Sequence, residues 1–233
     1  MLTSAAVCPH PPLLLPQVAG GAAPELDGLR AACAEAVRRL SGDLVVVVGS
    51  GPQTRDFGED ATGSMRPYGP DVAVGGGEPV LPLSLTIGRW LLGERTALYR
   101  SVADDATEES CARLGAELAG LAGSVALLVM GDGSACRTER APGYLDERAE
   151  GFDAGVARAL AEADTGALSG IDPALAAELH AAGRAPWQVL AGAACGSRLT
   201  GTLLADEAPY GVGYLVASWV RSLHDAPSGH RPG

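Results

Sequence analysis

Two apolar runs constrain the fold most: Leu44-Val45-Val46-Val47-Val48, and the strand from Ser124 to Met130, apolar throughout after its first residue. Neither alternates polar with apolar residues, so each reads as a strand covered on both faces. Such strands need helices on either side of a sheet. A shorter apolar strand opens the chain, ending at Val7-Cys8 before Pro9-His10-Pro11-Pro12. Between it and the first long run, Pro24 to Leu40 carries apolar residues at Leu26, Leu29, Ala32, Cys33, Ala36, Val37 and Leu40, a helical stripe. Strand, helix and buried strand are the start of a parallel α/β sheet.

The rest of the chain extends that pattern. The segment 50–79 is a Gly-, Pro- and Asp-rich loop with one short strand near Val72 to Val74; loops of this length are usually functional. A helix at Ser84 to Gly93, a strand at Thr96 to Val102 and a helix from Thr107 to Leu121 follow. The region 143–194 reads as a helical cluster: Gly143 to Ala163, a second helix capped by Asp172 and ending at Gly183, and a third from Ala185 to Ala194. Two strands close the chain, Leu199 to Asp206 and Tyr210 to Trp219. The expected fold is therefore a three-layer α/β sandwich with a mostly parallel central sheet, a C-terminal strand pair and the helical cluster.

At 233 residues and 47% hydrophobic, the chain can bury one core, drawn here as a single domain over 1–224 with a flexible tail at 225–233. Aromatic residues make up 4%, so that core must be built mainly of Ala, Val and Leu. A net charge of −11 excludes a nucleic-acid surface, which needs a positive stripe. No apolar run approaches the length of a bilayer span. The five cysteines are odd in number and widely spaced, without a C-x-x-C pair, which argues for free thiols and a cytoplasmic chain. Unpaired sheet edges make a homo-oligomer a reasonable expectation.

Three places carry chemistry. His10 sits on a stiff proline-bounded loop at the carboxyl end of a strand, the edge where open α/β sheets bind ligands. Met130-Gly131-Asp132-Gly133-Ser134 leaves another strand and offers Ser134 with Asp132, but lacks the G-x-S-x-G elbow, so an Asp-Gly turn is the plainer reading. In Asp206-Glu207-Ala208-Pro209-Tyr210-Gly211-Val212-Gly213-Tyr214, Glu207 ends a strand beside Tyr210, Gly211 and Gly213, whose small neighbours leave room for a ligand. A nucleotide site at Gly49-Ser50-Gly51-Pro52 is disfavoured: the last glycine of G-x-G-x-x-G is missing and Pro52 removes an amide. His180, on an Ala- and Leu-rich segment, and His224 and His230, near the tail, read as surface or packing residues.

Taken in order, the Cys8-Pro9-His10-Pro11-Pro12 opening, the Met130 to Ser134 strand end and the Glu207 to Tyr214 ending resemble the class III extradiol ring-cleavage dioxygenase superfamily, its catalytic β-subunit type and Memo-like relatives. The resemblance spans nearly the whole chain. It implies an α/β fold and a non-haem Fe(II), or Zn(II) in its place, held by two histidines and a carboxylate, acting on a catechol-type small molecule. Residue by residue it assigns His10 as the first metal histidine and Glu207 as the carboxylate. The second metal histidine falls at Gly49-Ser50-Gly51-Pro52 and the proton-handling histidine at Ala135, and neither is histidine here. Asp56, Glu59 or Asp60 from the loop would have to supply the third ligand, or Cys8 or Cys136 a sulfur. Two expectations result: a metal-dependent oxidoreductase with a degenerate site, or a non-catalytic relative that binds a small molecule or a partner in the same cleft.

Overall fold

The computed structural model describes residues 1–221. The tail assigned to 225–233, the domain end at 224, and His224 and His230 lie outside the described residues. Strand β1 (Leu2–Cys8) leads through a 3-10 turn and the short α1 (Pro16–Ala19) to α2 (Asp27–Arg38). The helix begins at Asp27 and not at Pro24, because 20–26 is a 3-10 segment. Next come β2 (Leu44–Gly51), β3 (Arg55–Phe57) and a two-stranded ribbon of β4 (Gly63–Ser64) and β5 (Ala73–Val74). They are followed by α3 (Leu83–Leu92), β6 (Leu98–Ala103), α4 (Glu108–Ala119) and β7 (Val125–Met130). Thr107 caps α4, its side chain accepting from the Ser110 amide. The helical cluster contains α5 (Arg148–Glu162), α6 (Thr165–Ser169), α7 (Pro173–Glu178) and α8 (Arg184–Ala194). β8 (Leu199–Glu207) and β9 (Tyr214–Arg221) finish the described chain.

The seven-stranded sheet has the order β3-β6-β2-β7-β1-β9-β8. Its four central strands, β6, β2, β7 and β1, are parallel. β3, β9 and β8 join antiparallel, so the sheet is mixed where a mostly parallel one was expected. The C-terminal pair docks on β1 through β9, which places the first strand inside the sheet and leaves β8 at the edge.

The central strands are covered on both faces, as their apolar runs require. On β7, Val125, Leu127 and Val129 enter one core with residues of α4, α5, α6 and α8. Ala126, Leu128 and Met130 enter the other, against α2 and α3. This is a mixed α/β fold with helices on both faces of the sheet. Because α2 follows β1 on one face while α5 to α8 follow β7 on the other, the chain diverges at the carboxyl ends of these two adjacent strands. A crevice opens at such a switch point.

Two local expectations are corrected. Residues 143–147 are not helical: Tyr144 has a φ of 61°, and the Gly143 and Asp146 amides donate back to Ala135 and Cys136. The second helix of the cluster ends at Glu178, short of Gly183, because His180 turns the chain with a φ of 54°.

Candidate functional site at the carboxyl edge of the sheet

β1 ends at Cys8, and Pro9 carries the chain over the edge so that His10 lies buried above it, 6% exposed. Two residues past the end of the neighbouring β7, Asp132 closes on it. The His10 amide donates to Asp132 Oδ1 at 2.7 Å, and the imidazole Nδ1 stands 3.7 Å from the same oxygen. That separation exceeds a hydrogen bond. Nδ1 is fully buried and has no other partner among the described residues. Among the described residues Nε2 makes no hydrogen bond, and it is not one of the fully buried unpartnered atoms. Asp132 therefore holds the His10 backbone, and its carboxylate faces the ring without a hydrogen bond to it. Tyr214, at the start of β9, belongs to the same group: burial, then the charges of Asp132 and Tyr210, push its hydroxyl pKa well up.

The other residues singled out from the sequence take different places. Ser134 is fully buried; its amide and hydroxyl both donate to Asp153 at 2.7 Å, and Arg137 reaches the same carboxylate at 3.2 Å. It ties the loop after β7 to α5. Glu207 is exposed, in register with Tyr214 on the edge strand, with Gly28 of α2 as its neighbour. The carboxylate paired with His10 is Asp132, not Glu207. Asp56 pairs with Arg100 at the opposite end of the sheet, and Asp60 lies exposed in a turn. Tyr210 donates to Glu25 at 2.9 Å. Gly211 has a φ of 77°, and Gly213 packs so tightly on Asp153 that a Cβ would come within 2.5 Å of its carboxylate. The two glycines thus shape the loop. Cys8 is buried against Cys33, and Cys136 lies against the Gly143 and Leu179 carbonyls.

The donor set does not fit a facial metal triad. Among the described residues no group of three or more His, Cys, Asp and Glu side chains is placed to hold a metal ion. Asp132 is engaged behind His10, which leaves the Nε2 atom without two further donors.

At the same edge lies a cavity of about 290 Å³ that the sequence did not announce, lined by Ser50, Asp104, His180, Arg184 and small apolar residues of α7, α8 and the turn between them. The Gly183 amide donates to the Asp132 carbonyl at 2.8 Å, joining the cavity to the crevice. Partial burial pushes the Asp104 carboxyl pKa up, opposed by His10 and Arg184 and assisted by Asp105. The strand-end position of Asp104 was the only available sequence signal. His180 and Arg184 come from a turn and a helix start that no local pattern connects to β2 or β6.

No family model matches the chain, and no curated protein matches it. Among solved structures it is similar to the uncharacterized protein JW3007 from Escherichia coli, with a TM-score of 0.51 and 14% sequence identity over 94% of this chain and 99% of that one. The likeness shows a shared fold. Among the described residues no helix is long and apolar enough to cross a membrane.

Proposed function

We propose that this chain is an extradiol-dioxygenase-like α/β protein that binds a hydroxylated, catechol-type small molecule at the crevice between β1 and β7, without metal-dependent ring cleavage. The observation that supports this is the His10–Asp132 pair: the Nδ1 of a buried ring faces a carboxylate 3.7 Å away, beyond a hydrogen bond, and among the described residues neither ring nitrogen is tied up by a protein partner. An imidazole nitrogen can accept a hydroxyl proton or donate to a hydroxyl oxygen. The oxidoreductase alternative requires Fe(II) or Zn(II) on three protein donors, and His10 lacks two of them.

Anaerobic titration of the protein and a His10→Ala variant with Fe(II) and Zn(II), beside catechol alone, separates the two. With ¹⁵N-histidine NMR as the readout, catechol is expected to shift the His10 Nε2 resonance without metal, and neither ion to bind stoichiometrically. Stoichiometric Fe(II) binding that disappears in the variant would restore the metal-dependent reading. Absence of any effect on His10 would remove the crevice as a ligand site.

A further inference from the structure

The cavity lined by Asp104, His180 and Arg184 has a polarity of its own. One end is formed by the start of α8, where Arg184 and Ala185 line the space. Gly183 caps this 11-residue helix without a side-chain hydrogen bond. The Ala185 N–H has no backbone acceptor among the described residues. Orphan amides at a helix start favour negative charge. Arg184 is 4% exposed, yet its guanidinium is held by neutral acceptors only: the carbonyls of Asp104 and Ala106, and Gln188 Oε1 at 3.1 Å. No carboxylate lies within ion-pair distance of it among the described residues. Buried charges are normally paired, whereas here the Asp104 carboxylate in the same lining acts on the guanidinium only through space, beyond ion-pair distance.

His180 supplies a third feature. The Ala181 amide donates to Ala176 and the His180 amide to Ala177, a Schellman turn closing α7. Its left-handed position, φ 54°, is held by histidine where glycine is strongly preferred. Non-glycine residues kept in this region concentrate at functional sites. The imidazole lines the cavity. Asp104, Ser50 and the small side chains of Ala176, Ala177, Ala181 and Ala182 complete the lining.

We propose that this cavity binds the head of a small monocarboxylate, its oxygens on the Ala185 amide, Arg184 and His180 and its apolar body on the alanine wall. The Asp104 carboxylate in the same lining disfavours a dianion, so phosphate is expected to bind more weakly than a monocarboxylate. The inference rests on the small-molecule reading above and names what that molecule carries.

Benzoate, benzylamine and inorganic phosphate serve as probes for the full chain, with ¹H–¹⁵N spectra reading the Gly183 and Ala185 amides against those of His10 and Asp132. Benzoate is expected to shift the first pair saturably, and benzylamine and phosphate not to. His180→Gly should weaken benzoate by about tenfold, the loss of one charge-assisted hydrogen bond. Its melting temperature should be equal or higher, because glycine relieves the turn. Asp104→Asn should tighten benzoate roughly threefold by removing a like charge from the lining. Benzylamine saturating these amides in place of benzoate overturns the assignment of charge. Unchanged benzoate affinity in His180→Gly overturns the head-group placement. Benzoate silent at Ala185 while catechol still moves His10 overturns this inference alone; silence of both removes the reading beneath it.

Discussion

Removing the carboxylate of Asp153 would strip three hydrogen bonds from one buried point, since it accepts from the Ser134 amide, the Ser134 hydroxyl and Arg137. Asp153→Ala is expected to destabilise the protein by about 3 kcal/mol, the usual consequence of breaking a buried charged network. Ser134→Ala deletes one of those bonds and should lose about 1 kcal/mol. Burial is also the first cause of the raised Asp153 pKa, outweighing the stabilising bonds. The folded state therefore holds this proton more tightly than the unfolded state. The stability it contributes is complete below the unfolded value of 3.8 and is lost as pH rises through the raised folded value. Urea midpoints from mildly acidic to neutral pH should accordingly fall in the parent relative to Asp153→Asn. A pH-independent difference would eliminate burial as the cause. At this scale the sequence was informative about position and silent about pairing. His10 and Asp132 both stand out as strand-end residues, but only the adjacency of β1 and β7 makes them a pair, and that adjacency joins strands 122 residues apart at the His10–Asp132 bond.

Between elements, the tightest joint is α4 on α8. A Cβ on Gly192 would meet the Ala112 carbonyl oxygen at 2.5 Å and its Cα at 2.6 Å, and a Cβ on Gly115 would strike the Val189 carbonyl. These neighbours are helix backbone and cannot rotate away. Gly192→Ala, which would favour an isolated helix by nearly 1 kcal/mol, is instead expected to destabilise the protein by about 2 kcal/mol through overpacking. The expected signature is a lowered melting temperature with helical circular dichroism intact at low temperature; a raised one would show the helices free to separate. Element types were legible wherever burial repeats with a fixed period: the valine run became β2, and the stripe from Leu26 to Leu40 became α2. Boundaries failed where long-range hydrogen bonds override the local period. Residues 143–147 have a helical apolar pattern, but Asp146 and Gly143 bond back to the loop after β7 and delay the helix to Arg148.

For the whole molecule, the question is whether two cores make two units. Every central strand alternates its side chains between them, so neither core can melt while the other keeps its wall. The strand order that produces this was not readable: nothing in the residues of β9 dictates that it insert between β1 and β8, so the expected C-terminal strand pair could not be placed on the mostly parallel sheet. Leu127→Ala on β7 opens one core and Leu29→Ala on α2 opens the other, both side chains being fully buried. Each should destabilise by about 3 kcal/mol, the middle of the range for such truncations. Since the two residues belong to separate clusters, the double variant should lose nearly the sum, within about 0.5 kcal/mol. Calorimetry of all three should show one transition whose calorimetric and van't Hoff enthalpies agree. If Leu29→Ala instead split off a separate low-temperature transition, the α2–α3 face would be an independent unit, and the crevice above it would be a junction between two bodies.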